Sequence, residues 1–161
     1  VILTGDKDLL QLVQPGVEVY DSMKNTYYSD KDVAKKFGVR PDQIADYLAL
    51  AGDKVDSIPG VQGIGPVAAK KLLETWNSVE DIYKNVNHIE KKWRKKLEDG
   101  EELAKISKSL TTLGIIDIPL SIGDLSVHPI YDEELIKLFA KLEFNNGISK
   151  LKQLWTAYEH I

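Results

Sequence analysis

A chain of 161 residues with 43% hydrophobic and 29% charged residues has enough apolar content to bury a core, and too much for an intrinsically disordered segment. Its lack of cysteine excludes disulfides and thiolate metal sites, and no apolar run reaches the roughly 18 residues that a membrane-spanning helix needs. The formal net charge of -4 argues against a uniformly basic nucleic-acid binder, but Lys70-Lys71 and the run Lys91 to Lys96 concentrate positive charge locally, so net charge alone decides little.

Val1 to Thr4 reads as the tail of a buried strand, and Gly5-Asp6-Lys7-Asp8 turns into an amphipathic helix through Leu9, Leu10, Leu12 and Val13. Pro15-Gly16 turns the chain. Val17 to Tyr20 alternates like a strand, with a second candidate at Asn25 to Tyr28. Ser29 or Asp30 caps a helix ending at Gly38, and Arg40-Pro41-Asp42 opens another that Gly52 ends. Further helices are expected from Pro66 to Trp76, from a Ser78 cap through Tyr83, over Ile89 to Leu97, over Glu101 to Leu113, over Tyr131 to Leu142 and over Ile148 to Tyr158. Ile115 to Leu120 is strand-like but interrupted by Pro119. The expected body is predominantly α-helical with a small sheet.

Asp6 and Asp8 stand at the carboxyl end of the first strand, where open α/β sheets bind ligands, and their oxygens suit magnesium or manganese. A plain helix N-terminus with acidic residues explains the same pair. Asp53 and Asp56, three apart, can share a cation or serve as solvated turn residues. Both pairs, set beside a turn suited to phosphate, suggest phosphodiester hydrolysis assisted by two metal ions, because four carboxylates repel one another unless cations neutralise them. That turn is Gly60-Val61-Gln62-Gly63-Ile64-Gly65-Pro66. Gly60, Gly63 and Gly65 are expected to take positive φ and to admit another backbone, while the following helix points free N–H groups and its positive end at an anion. Gln62, Lys70 and Lys71 join the glycines as candidate phosphate contacts, and no base-reading array is evident. Trp76, Trp93 and Trp155 read as core, His88, His128 and His160 lack ligand spacing, and the Lys91 to Lys96 run reads as a solvated helix face with DNA contact as its second reading.

TGDKDLLQLV at 4–13, LAGDKVDSIPGVQGIGPVAAKKLL at 50–73, ELAKISKSLTTL at 102–113 and LIKLFAKLEF at 135–144 resemble the C-terminal half of the 5′-nuclease domain of bacterial DNA polymerase I. Free-standing 5′-3′ exonucleases and flap endonucleases are related to it. The resemblance implies a PIN-like α/β domain in the intact protein, of which residues 1–28 are the end of the nuclease core and 29–161 a helical subdomain. It also implies a helix-three-turn-helix at about 43–76 that grips duplex DNA by its phosphates. Asp6, Asp8, Asp53 and Asp56 match family carboxylates of a two-metal centre for Mg2+ or Mn2+. The main-chain carbonyls of Leu50, Ala51, Pro59, Val61 and Ile64 match a K+ site. The implied activity is 5′-3′ exonuclease or flap endonuclease cleavage of DNA with a 5′ end or flap, in replication and repair, by a bacterial, cytoplasmic, nucleoid-associated protein.

The same resemblance leads us to expect an N-terminal nuclease segment upstream of Val1 and, as in polymerase members, a polymerase domain in the same parent protein. Ser57 stands where the family usually has Asn, and Val67 where it commonly has a basic residue. The alternatives are a non-catalytic duplex-DNA-binding module and a part that needs an N-terminal partner.

Overall fold

The structure is a computed structural model that describes residues 1–125 and 133–158. It divides into two units, Val1–Ile115 and Ile116–Ile161. The first carries a three-stranded sheet in the order β1-β2-β3, built from β1 (Ile2–Leu3), β2 (Val19–Asp21) and β3 (Thr26–Tyr28). β1 runs parallel to β2 with Ile2 opposite Val19, and β3 returns antiparallel with Tyr28 opposite Val19. Between β1 and β2 the expected amphipathic helix is a single 3₁₀ segment, Asp8–Leu12. Its brevity follows from Pro15-Gly16 close behind and from the pull of Leu10 and Val13 into the core, which leaves no room for further turns.

Helix α1 (Asp30–Phe37) starts at a Ser29/Asp32 capping box and ends at Gly38 in the left-handed region (φ 71°). A 3₁₀ turn at Pro41–Gln43 leads into α2 (Ile44–Ala51), closed by Gly52. α3 (Pro66–Thr75), α4 (Val79–Lys84, with Ser78 accepting from the Asp81 N–H), α5 (Lys91–Asp99) and α6 (Glu101–Thr111) complete the unit. α2 is its axis: nearly all of its side chains are buried, and it packs chiefly on α6 and α3. Leu48, Leu50, Ile64, Leu72, Ile82 and Leu97 share this core, with Trp76 and Trp93 packed partly buried against it.

Burying α2 on all sides also buries polar groups, and each has a partner. Asp46 accepts from the Val79 N–H at 2.8 Å and pairs with Lys108. Gln43 donates to the carbonyls of Leu73 and Asn77, and Thr111 Oγ1 donates to the Ala45 carbonyl at 3.1 Å. These cross-links tie α2 to α3, α4 and α6 where an unpaired polar atom would cost about 1–3 kcal/mol.

The strand expected at Ile115–Leu120 does not form. Pro119 brings no N–H for a ladder, and Ile115, Ile116, Ile118 and Leu120 are exposed rather than buried alternately. In the second unit α7 (Glu133–Lys141) packs on α8 (Asn145–Tyr158), with Phe139 and Phe144 edge to face at 5.9 Å. Tyr131, where the α7 helix was expected to begin, lies outside the described residues, as do His128, His160 and the side chain of Trp155.

Candidate functional site

Asp53 and Asp56 sit in a loop that begins where α2 stops. The left-handed Gly52 (φ 74°) turns the chain, and the Asp53 and Ile58 backbones then exchange two hydrogen bonds at 2.9 and 2.7 Å. That bridge closes a tight loop at residues 54–57, with Ser57 at φ 59°. Asn tolerates that conformation better than Ser does, which accounts physically for the Asn expected at this position. Asp8 reaches the loop from the far end of the sequence: the segment after β1 meets it, with Lys7 paired to Asp53 and Asp56 and Asp8 beside them.

One carboxylate oxygen from each of Asp8, Asp53 and Asp56 lies within 4.8 Å of the others. Such a group repels itself, and the ammonium of Lys7 answers part of the charge, at 2.5 Å from Asp53 Oδ2 and 2.6 Å from Asp56 Oδ2. Only the Asp56 contact also has the angles of a hydrogen bond. Asp53 Oδ2, met only by the Lys7 ion pair, and Asp8 Oδ1 are buried oxygens without a hydrogen bond. Desolvation pushes the Asp8 carboxyl above its ordinary pKa, with the neighbouring carboxylates adding to it against the pull of Lys7. Desolvation acts upward on Asp53 too, but Lys7 and the Val55 N–H outweigh it and hold that carboxyl below its usual range. In Lys7 the reverse balance holds: burial lowers its pKa, and the two aspartates more than restore it, raising it above the ordinary lysine value. Hard anionic oxygens, Asp8 Oδ1 buried and unbonded and Asp53 Oδ2 met only by the Lys7 ammonium, are the chemistry of a site for a divalent cation.

Asp6 lines the same cleft, of about 390 Å³, without joining the three-carboxylate group; its Oδ1 accepts the Asp8 N–H at 2.9 Å. Asp21, Lys24, Tyr28, Lys36 and Phe37 also line the cleft.

Directly after the Asp53–Ile58 bridge comes the glycine turn. The Val61 N–H donates to the Leu50 carbonyl and the Ile64 N–H to the Val61 carbonyl, so residues 50–52 and 59–61 run backbone against backbone. A Cβ on Gly60 would stand 2.4 Å from the Gly52 nitrogen and 2.7 Å from its Cα. Gly60 and Gly63 take the expected positive φ (64° and 80°). Gly65 does not: it is extended at φ -96°, caps α3, and has nothing within 4 Å of a built Cβ, so its glycine leaves the turn's outer surface open without relieving any strain. Pro66 opens α3 and has no N–H, which leaves Val67 and Ala68 as its first-turn donors.

The candidate phosphate contacts fall into different settings. Gln62 and Gly63 share a second concavity with Lys96, whose ammonium donates to the Gly63 carbonyl at 3.0 Å. Lys71 is exposed, whereas Lys70 lies over Gly38 at the C-terminus of α1. Among the potassium-ligand candidates, Leu50, Val61 and Ile64 are buried in this crossing, with Ala51 and Pro59 beside them.

Two residues here were not foreseen. Lys7 was visible as a cation between two aspartates, but nothing in its spacing pointed to Asp53 and Asp56. Ser107, fully buried on α6, accepts the Gly60 N–H at 3.0 Å and so holds the turn from beneath.

Residues 39–133 match the family model of the 5′-3′ exonuclease C-terminal SAM fold. The chain is 43% identical over 154 residues to a 5′-3′ exonuclease of Aquifex aeolicus, covering 95% of this chain and 51% of that protein. It is 41% identical over 159 residues to DNA polymerase I of Caldicellulosiruptor bescii, covering 94% of this chain and 19% of that one. The chain thus spans about a fifth to a half of the length of these relatives. Among solved structures it is similar to a T5 5′-exonuclease bound to divalent metal ions (zinc), with a TM-score of 0.62 at 25% identity over 68% of this chain and 41% of the other. By sequence and by fold, the chain belongs to the 5′-3′ exonuclease family and carries its C-terminal SAM-fold domain.

Proposed function

We propose that this chain is the C-terminal part of a structure-specific 5′-3′ exonuclease or flap endonuclease that hydrolyses DNA phosphodiester bonds. The observation that carries the reading is the convergence of Asp8, Asp53 and Asp56 at a cleft that Asp6, Asp8 and Asp56 line, joined by one short loop to the glycine turn. In it, residues 1–28 belong to the nuclease core, and 29–161 form the helical subdomain whose segment 43–76 grips the duplex. The protein from which this chain comes supplies the upstream nuclease segment and, if polymerase-like, a polymerase domain.

Asp8, Asp53 and Asp56 would hold a divalent ion, with Asp6 at the cleft wall for a second, and magnesium or manganese suits their oxygens. When bound, such ions activate water and stabilise the leaving oxygen of a phosphodiester. The chain's own residues do the rest. Lys7 keeps Asp53 and Asp56 oriented toward one point, the Val55 N–H fixes Asp53 through its Oδ1 at 2.9 Å, and the Asp8 N–H orients Asp6. The turn of Gly60, Gln62, Gly63 and Gly65, with Lys71, offers main-chain N–H groups and charge to backbone phosphates rather than to bases. The carbonyls of Leu50, Ala51, Pro59, Val61 and Ile64 offer K+ a main-chain cradle, packed too closely at Gly60 for any side chain.

The test is cleavage of a 5′-flap DNA by the full-length protein with Mg2+ and K+. Asp53→Asn and Asp8→Asn should each lower kcat by at least about 100-fold while retaining flap binding. Unchanged turnover in both variants would remove the catalytic reading, and flap binding with no cleavage by the unaltered protein would favour a DNA clamp.

A further inference from the structure

Lysines line the cleft as well as carboxylates, and they differ in what they pair with. Lys7 lies against Asp53 and Asp56, and Lys24 pairs at 2.5 Å with the buried Asp21. Lys36 makes no ion pair within 4 Å among the described residues. Its ammonium donates to Tyr28 Oη at 2.8 Å and stands 4.3 Å from the centre of the Tyr28 ring, with Phe37 behind it at 5.3 Å. Tyr28 is 8% exposed, so the ammonium rests on a fixed platform at the cleft rim. Because Tyr28 Oη accepts from Lys36, its own O–H hydrogen is available to a second acceptor. Two donors and one positive charge without an ion pair therefore meet at this point of the cleft. The carbonyl end of α1 and the ring faces account for where Lys36 sits, but they do not supply a counter-ion.

We propose that Lys36, seated on Tyr28, binds a phosphate of the nucleic-acid strand that crosses the cleft, beside the phosphate placed at the carboxylates. This rests on the nuclease reading above. A phosphodiester oxygen matches the pair of donors and the single charge, and the cleft is continuous from Lys36 to Asp8 and Asp56. Lys36 is thus a positioning residue for the substrate.

The experiment measures binding of 5′-flap DNA to the full-length protein by fluorescence anisotropy, with Ca2+ in place of Mg2+ so that binding is read without turnover. Lys36→Met, which keeps an apolar stem on the Tyr28 ring, should weaken binding by about 5–20-fold and reduce the slope of log K against log salt by about 0.7–0.9. Lys36→Arg should stay within about 3-fold of wild type. With Mg2+, KM should rise in Lys36→Met by the same factor as Kd, with kcat held within about 3-fold. A neutral methylphosphonate placed at successive substrate positions should weaken wild-type binding at one position where Lys36→Met is indifferent. Wild-type affinity and salt slope in Lys36→Met would overturn the proposal, as would a binding loss that no single methylphosphonate reproduces. A change confined to inhibition by a 5′-mononucleotide would assign the site to released product and overturn it as a strand site. A full-length wild-type protein that neither binds nor cleaves would overturn the nuclease reading, and this site with it.

Discussion

Replacing Gly60 with alanine tests the crossing of two backbones on which the turn depends. The new Cβ would lie 2.4 Å from the Gly52 nitrogen, 2.7 Å from its Cα and 2.9 Å from the Ala51 carbonyl carbon, all main-chain atoms that no rotamer change can move aside. Relief requires residues 50–52 and 59–61 to part by about 1 Å, an overpacking penalty of roughly 1–3 kcal/mol. Alanine at φ 64° adds about 1–2 kcal/mol of left-handed strain. The displacement also weakens the Gly60 hydrogen bond to Ser107, worth about 1 kcal/mol. The expected loss is about 3–6 kcal/mol, or a fall in Tm of roughly 10–20 °C in thermal unfolding followed by circular dichroism. Gly65→Ala is the matched control, since it meets nothing within 4 Å on an extended backbone. There the entropy gained in the unfolded chain offsets a poorer helix cap, and stability should stay within about 1 kcal/mol of wild type. Its methyl group would nonetheless stand on the face proposed to approach DNA, so flap affinity should fall while Tm does not. A Gly60→Ala variant within 1 kcal/mol of wild type, or a Gly65→Ala variant as damaged as Gly60→Ala, would refute the close-crossing argument.

Ser107→Ala leaves the buried Gly60 N–H without an acceptor and should cost about 1–3 kcal/mol in urea unfolding; a cost below 0.5 kcal/mol would show that the bond does not hold the turn. Tyr83 is half-buried and donates to the Leu97 carbonyl at 3.1 Å, and desolvation, aided by Glu101, pushes its phenol up to about 12. Because the folded pKa is raised, its contribution is whole below about pH 10 and is lost as pH rises toward 12, by about 1–2 kcal/mol after allowing for partial exposure. Denaturant midpoints measured from pH 9 to 12 should therefore fall more steeply in wild type than in Tyr83→Phe, and parallel curves would contradict this.

What could be read from the residues follows the range of the physics involved. Ser29, Gly38, Gly52 and Ser78 were legible as helix ends because capping involves neighbours only three or four positions away. The glycine turn was legible too, since positive φ and backbone contact leave few other residues a role, although Gly65 proved to serve neither purpose. Strand alternation misled at Ile115–Leu120, because a strand exists only if another edge accepts it and local pattern contains no information about that edge. The long-range contacts were invisible for the same reason. Lys7 meets Asp56 across 49 residues and Ser107 meets Gly60 across 47, and no periodicity encodes either encounter. Family resemblance supplied the aspartates as a set, whereas the fold distinguishes Asp8, Asp53 and Asp56, which converge, from Asp6, which stands beside them.

The Asp53–Ile58 bridge has a consequence for how far a cut can fall from a hold. Under the proposed function, Asp53, Asp56 and the turn are stations on one short stretch of chain, braced by the two-hydrogen-bond bridge and by the packing of Gly60 against Gly52. The distance from gripped phosphate to severed bond is then set like the gap between two marks on a ruler. Wherever the duplex is seized, the strand would be measured off from that point by the same increment, and the length of the released piece would be written into a loop of a few residues.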